Sequence, residues 1–172
     1  MNTTCKSGRP MSKRQGFTLT EVMVALSVFT LVMASAVPTF IMCQRSWALT
    51  SVQLQAAQKA SAAIERLVYG VGLQYGLRTA ISTTVVVTAG ADWKVSYIDI
   101  TGMSNCFNYS STARQLTYDG PATTGSVVVG KSITAATVSN SANGLSIVVT
   151  AGVTEGRFSA TNTMTTFVAY RN

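Results

Sequence analysis

The sequence predicts an α+β protein, in which a long N-terminal helix, transmembrane in its first half, packs on a C-terminal antiparallel β-sheet domain. Three differences along the chain lead to this prediction. Residues 17–69 contain no glycine and one proline, Pro38, which suits a continuous helix. Residues 70–172 contain eleven of the thirteen glycines, and from Thr79 onward seventeen of 94 residues are threonine. Threonine favours strands and glycine marks turns, so this half is predicted to form a sheet.

A basic leader precedes the helix. Residues 1–16 hold four of the thirteen basic residues and no acidic one: Lys6, Arg9, Lys13 and Arg14. Positive charge beside an apolar segment stays on the cytoplasmic side of a membrane, so the N-terminus is predicted to be cytoplasmic. Beyond the leader the chain has nine basic and six acidic residues, which is a small excess of positive charge. We therefore expect no nucleic acid as a partner. The composition is still compatible with one basic surface on the protein.

The first part of the helix is predicted to span a membrane. In Phe17–Val37, fifteen of 21 residues are apolar and the only charged one is Glu21. At 1.5 Å per residue this segment covers roughly 30 Å, the thickness of a bilayer core. The alternative, a helix buried in a soluble core, is disfavoured because the 103 strand-like residues after Tyr69 are too few to surround it.

The helix is predicted to continue after the span as an amphipathic segment that ends at Gly70 and Gly72. Pro38 removes one backbone hydrogen bond and should kink or loosen the helix just beyond the span. Apolar residues then recur at spacings of three, four and seven, which predicts one packing face: Trp47, Leu54, Ala57, Ile64, Leu67 and Val68.

Seven strands are predicted in the second half, from valine- and threonine-rich runs between glycines. They are Thr83–Thr88, Trp93–Ile100, Arg114–Tyr118, Ser126–Val129, Ser132–Val138, Gly144–Thr150 and Met164–Tyr170. Asp119, Gly120 and Pro121 form a turn signal, so the strands on either side are predicted to pair as an antiparallel hairpin.

The composition disfavours most enzyme and metal chemistry. The chain has no histidine, which removes the usual general base and the commonest zinc ligand, and only six acidic residues. We therefore predict no enzyme activity, no cofactor, no metal and no small-molecule substrate. Two alternatives stay open but are disfavoured: a calcium site built from Asp92, Asp99, Asp119 and Glu155, and an exposed aromatic face built from Trp93, Tyr97, Tyr109 and Tyr118.

Cys43 and Cys106 remain as a pair if Cys5 is lost with the leader, but their spacing does not support a disulfide.

The junction of leader and helix, KRQGFTLTEVMVAL, resembles the leader of type IV pilins and type II secretion pseudopilins. The features are Gly16 at the end of a short basic leader, Phe17 directly after it, and Glu21 five residues beyond Gly16. Pro38 lies where many members carry a helix-loosening proline. The resemblance implies a pilin-like fold, cleavage between Gly16 and Phe17 by a prepilin peptidase, and methylation of the new N-terminus at Phe17.

Glu21 is costly in a membrane helix, since a carboxylate at mid-bilayer costs about 2.5–3.5 kcal/mol and less near an edge. The resemblance implies that its partner is the N-terminal ammonium of a neighbouring subunit. That pair would neutralise both charges and set the register of adjacent helices. The alternative is that Glu21 lies near the lipid headgroups and is solvated there.

A rival cleavage site is Ala34-Ser35-Ala36, which has the A-x-A form that signal peptidase recognises. In that case the mature protein begins at Val37 and is an exported β domain. Glu21 and the length of the apolar run both oppose this interpretation.

The resemblance therefore predicts a single-pass protein of the bacterial inner membrane, with residues 70–172 in the periplasm. After processing it is expected to join a filament with other pilin or pseudopilin subunits through its N-terminal helix. The preferred role is a minor pseudopilin of a type II secretion system. The alternative is a minor pilin of a type IV pilus.

Overall fold

The structure, a computed structural model, describes residues 16–72, 75–87, 91–121 and 125–169. Helix α1 is Leu19–Tyr69, and a short 3-10 helix, Leu77–Thr79, follows it. Eight strands complete the chain: β1 Ser82–Val87, β2 Trp93–Ile98, β3 Ser104–Ser110, β4 Gln115–Asp119, β5 Val127–Lys131, β6 Ile133–Ser141, β7 Gly144–Glu155 and β8 Phe158–Ala169. The predicted α+β class is confirmed.

The strands form two antiparallel sheets in simple sequence order. One sheet has the order β1-β2-β3-β4-β5 and the other the order β6-β7-β8. Every neighbouring pair is antiparallel. The hairpin predicted around Gly120 is confirmed, because β4 pairs with β5. Its register shifts between Leu116 and Thr117, which leaves Val129 as an extra residue on β5.

The seven predicted strands are present with shifted ends, apart from Thr88 and Tyr170, which lie outside the described residues. Strand β2 ends before the predicted Ile100 because Asp99 begins a turn, in which its carbonyl accepts the amide of Gly102 at 3.0 Å. Strands β7 and β8 are longer than predicted because Gly156, with φ +58°, lets the chain reverse between them.

Strand β3 was missing from the prediction. Its sequence, SNCFNYS, contains two asparagines, which are depleted in strands, and shows no regular alternation. It forms because it lies in the middle of the sheet, where β2 and β4 supply its hydrogen-bond partners on both sides.

The chain divides into two compact units between Gln44 and Arg45. In the second unit, α1 buries a stripe of mostly small side chains against the sheets: Val52, Ala56, Ala60, Ala63 and Leu67. The fit is close, since a Cβ added at Gly130 would lie 3.3 Å from the Cβ of Ala63. Small residues allow the helix backbone to approach the strands.

The predicted packing face of α1 was therefore wrong for two of its residues. Trp47 is 80% exposed and Leu54 58% exposed, whereas Leu67 is buried and Ile64 and Val68 pack against the core. At 3.6 residues per turn, Trp47 and Leu54 lie on the opposite side of the helix from the buried stripe. The alanines, which carry little hydropathy signal, contact the sheets instead.

Aromatic side chains fill the core between the sheets. Trp93, Tyr97, Tyr109 and Tyr118 are all buried, so the exposed aromatic face is not formed. The ring of Phe107 lies between Tyr97 and Tyr118, at centroid distances of 5.7 and 5.2 Å. The Trp93 indole N–H donates to the carbonyl of Ala136 at 2.9 Å and so links β2 to β6.

Candidate assembly site at the start of the helix

Thr18 and Glu21 cap the start of α1. The backbone N–H and the hydroxyl of Thr18 both donate to Oε2 of Glu21 at 3.0 Å, and the Glu21 amide lies 3.4 Å from the Thr18 hydroxyl oxygen. This reciprocal arrangement is a capping box, which satisfies backbone donors that the first turn leaves without partners. The carboxylate also suits the positive end of the helix dipole.

The capping role of Glu21 was not among the predictions, although the spacing of Thr18 and Glu21 is typical of a capping box. Capping and pairing with a neighbour are compatible, because both Thr18 donors bind Oε2. The other carboxylate oxygen, Oε1, has no hydrogen bond in the described structure.

The two residues of the expected cleavage site precede the cap. Gly16 is exposed, and a Cβ built there would meet no atom within 4 Å among the described residues. Phe17 is 86% exposed. The peptide between them is therefore reachable in the isolated chain, while Lys6, Arg9, Lys13, Arg14 and Cys5 lie outside the described residues.

An apolar surface adjoins Glu21 on α1. A shallow groove runs along one side of the helix and is lined by Phe17, Glu21, Val22, Ala25, Leu26 and Phe29. Every residue from Gly16 to Trp47 is exposed. A stretch of α1 is long and apolar enough to cross a membrane, with a mean hydropathy of 2.1, so this helix is compatible with membrane anchoring.

In the apolar first part of α1, serine hydroxyl groups donate hydrogen bonds to carbonyls of the same helix. Ser27 donates to the carbonyl of Val24, and Ser35 to that of Val32, both at 2.8 Å. Such bonds suit a medium without water, where an unpaired hydroxyl is costly.

Helix α1 continues through Pro38 without interruption. Pro38 cannot donate to the carbonyl of Ala34. The Thr39 hydroxyl donates to the carbonyl of Ser35 at 2.9 Å, beside that missing bond. The kink at Pro38 stays a prediction.

The carboxylates considered for calcium are used in separate places. Asp92 accepts the amide of Ser111 at 2.6 Å, Asp99 organises its own turn, and Glu155 accepts the Gln55 side-chain amide at 3.1 Å. Among the residues that the structure describes, no three histidine, cysteine, aspartate or glutamate side chains are grouped to hold a metal ion. The thiols of Cys43, exposed, and Cys106, buried, are both free.

Residues 11–37 match the family model described as the prokaryotic N-terminal methylation motif, the signature of type IV pilins and pseudopilins. The predicted resemblance is confirmed over this stretch. Comparison of the chain with curated proteins and with solved structures gives no match. The motif indicates a type IV pilin-like protein and suggests a structural subunit rather than an enzyme. It implies processing by a prepilin peptidase and assembly with other pilins.

Proposed function

We propose that this chain is a minor pseudopilin of a type II secretion system. Its span, residues 17–37, holds the precursor in the inner membrane, with the β domain on the periplasmic side. The observation that carries the proposal is the methylation motif, whose Gly16–Phe17 peptide is exposed directly before a capped helix that bears Glu21.

Cleavage after Gly16 would create an ammonium group at Phe17, four residues before Glu21. Thr18 engages one oxygen of the Glu21 carboxylate, and the other accepts no hydrogen bond from the residues that the structure describes. An ammonium from a neighbouring chain would fit that second oxygen. Because the surrounding side chains are apolar, the pair would form in a medium of low dielectric constant, where both charges need a partner.

The role in secretion, rather than in a pilus, rests on features of the β domain. It is small, it is poor in acidic residues, and it lacks a paired-cysteine loop near its C-terminal end. The alternative is a minor pilin of a type IV pilus, which would share the whole N-terminal half. Crosslinking in cells separates the two: the expected partners are pseudopilins and the secretin-associated machinery, whereas crosslinks to pilus subunits alone would favour the alternative.

The charge of Glu21 is tested by two variants that differ in what they keep. Glu21→Gln retains the capping box, since glutamine also serves in that position, but loses the charge. Glu21→Ala loses both. We expect both variants to insert and to be cleaved normally, and both to fail in copurification with filament partners. Thr18→Ala is the matched control, because it removes the cap and keeps the carboxylate, so it should still assemble. Normal assembly of Glu21→Gln would show that no charge pair is needed.

The cleavage site is tested by Gly16→Leu. A bulky residue there should block access of the peptidase to the backbone and leave a precursor that is larger by the leader. The matched control is Ala36→Leu, which alters the A-x-A sequence and should be processed normally. N-terminal sequencing of the wild-type protein should begin at Phe17. A start at Val37 would establish the exported β domain instead.

A further inference from the structure

Four basic side chains surround a concave surface on the second unit, here called the basic cleft: Lys59, Arg66, Arg114 and Lys131. One part is a hollow of about 370 Å³ between α1 and β5, with Lys59 and Arg66 on one side and Lys131 on the other. A second hollow of about 420 Å³ contains Arg114 and shares Lys131 with the first.

Positive charge dominates the lining of the basic cleft, and the Glu155 carboxylate lies just outside it, hydrogen-bonded to Gln55 of the first hollow at 3.1 Å. The cleft holds four of the nine basic residues beyond the leader, and no aspartate or glutamate lines either hollow within the described part of the chain. Among the described residues, two of its cations hydrogen-bond to neutral groups. Arg66 donates to the carbonyl of Val129 at 2.5 Å, and Lys59 donates to the hydroxyl of Ser132 at 3.4 Å. An arginine has five donors and a lysine three, so most of their donors remain available.

Two strained residues line the same surface. Arg114, with φ 51°, and Ser132, with φ 62°, are the non-glycine residues with positive φ in the described ranges. Their carbonyls are fixed by the amides of Ile133 and Gly152, at 3.0 and 2.9 Å. Glycine would adopt this backbone without strain, and strained residues concentrate at functional positions. Both residues lie where the chain passes between strands, Arg114 directly before β4 and Ser132 between β5 and β6.

We propose that the basic cleft is the docking site for an acidic, extended segment of a partner protein. Charge complementarity favours an acidic occupant. An extended segment fits because β5 is the edge of its sheet, with β4 as its one strand partner in the described structure. The proposal goes beyond filament assembly through the anchor, since none of its residues lies in the first half of α1.

Two other occupants fit less well. A second processed copy of this chain has nine basic and six acidic residues beyond the leader, so its overall charge has the same sign as the basic cleft and does not complement it. Single-stranded nucleic acid is usually held by aromatic stacking as well as by charge. No aromatic side chain lines either hollow in the part of the chain that the structure describes.

The test measures binding of a fluorescein-labelled deca-glutamate peptide to the processed full-length protein in neutral detergent micelles. The variant Lys59→Gln/Lys131→Gln removes two charges of the basic cleft and leaves Arg66, which holds β5, in place. The matched control Lys94→Gln/Arg157→Gln removes two exposed charges elsewhere on the same unit. At about 0.1 M salt we expect the cleft variant to raise the Kd about tenfold and the control less than about threefold.

Charge reversal provides the second arm. Lys59→Glu/Lys131→Glu should lose the deca-glutamate peptide and gain binding of a deca-lysine peptide, and circular dichroism should show that each variant is folded. The proposal is overturned if the cleft variant and its control lose affinity for deca-glutamate equally, or if the wild-type protein does not bind deca-glutamate. It is also overturned if a deca-nucleotide single strand binds more tightly than the peptide and depends on the same two lysines.

Discussion

Asp99 is 3% exposed, yet its surroundings favour the charged form. One carboxylate oxygen accepts the amide and hydroxyl of Thr101 and the amide of Met103, and the other accepts the Asn105 side-chain amide at 3.1 Å. The side-chain oxygen Oδ1 of Asn105 in turn accepts a hydrogen bond from the hydroxyl of Tyr118 at 2.5 Å. This chain of bonds ties the turn after β2 to strands β3 and β4.

The pKa of Asp99 makes the stability of the β domain depend on pH. Burial raises the pKa, but the hydrogen bonds from Thr101, Met103 and Asn105 outweigh it, so the pKa lies below its ordinary value of 3.8. A depressed pKa gives stabilisation that is complete above the unfolded value and is lost as the pH falls through the folded one. We expect this contribution to be lost, and the Tm to fall, as the pH is lowered below about 4.

The variant Asp99→Asn tests this assignment by calorimetry between about pH 7 and about pH 2.5. At neutral pH the variant should be less stable by about 1–3 kcal/mol. The reason is that the side-chain NH2 group of the new asparagine would lie against the side-chain NH2 group of Asn105, so that two donors meet without an acceptor. Below about pH 4 its Tm should fall less than that of the wild type. Equal slopes in the two proteins would mean that another group causes the acid sensitivity.

Thr18 gives a second prediction at the scale of one residue. Thr18→Ala removes the N-cap and should weaken the first turn of α1 by about 1 kcal/mol. Hydrogen exchange in detergent should be faster at the first turn, while Thr18→Ser should retain the protection of the wild type. Unchanged exchange in the alanine variant would show that this turn is held in detergent without the cap.

At the scale of elements, the second half of α1 depends on small side chains. Ala56, Ala60 and Ala63 are fully buried, and Gly130 on β5 lies directly opposite Ala63. We expect Ala63→Leu to destabilise the β domain by about 1–3 kcal/mol through overpacking. Ser61→Leu adds a larger apolar side chain on the exposed side and should change the free energy of unfolding by less than about 0.5 kcal/mol. Denaturant unfolding followed by circular dichroism gives both values.

The same helix shows where prediction from sequence ends. The length of α1 follows from local signals, namely the absence of glycine up to Tyr69 and the glycines beyond. Its packing face does not, because burial there is decided by how closely a helix can approach a sheet. Trp47 and Leu54 have the larger hydropathy, but the alanines have the better fit. Strand β3 escaped prediction for a related reason, since Asn105 is buried by a hydrogen-bond network that joins distant parts of the chain.

At the scale of the whole molecule, the candidate assembly site and the basic cleft differ in how they are encoded. Gly16, Phe17 and Glu21 lie within six consecutive positions, so the motif is recognisable from the amino-acid sequence alone. The cleft combines residues of α1, the β3–β4 turn and β5, whose proximity depends on the sheet topology. The composition is compatible with one basic surface, but local sequence patterns do not show which residues form it.

The division of the chain into two compact units predicts that assembly and folding can be separated. Glu21→Ala should leave the Tm of the β domain within about 1 °C of the wild-type value in detergent, because Glu21 is exposed and its side-chain hydrogen bonds within the described residues are to Thr18. Loss of assembly in the same variant would then be a loss of interaction. A large drop in Tm would instead attribute the assembly defect to misfolding.

The two tryptophans offer a built-in optical probe of these events. Trp93 is buried and hydrogen-bonded to Ala136, so its emission should be blue-shifted and should change only when the core opens. Trp47 is largely exposed on α1, beyond the predicted span, and its emission should respond to lipid or to a neighbouring helix. With Trp93→Phe, the tryptophan fluorescence of the chain, excited at a wavelength that tyrosine does not absorb, would come from Trp47 alone. Joining a filament could then be followed in real time by a spectral shift, without any label attached to the protein.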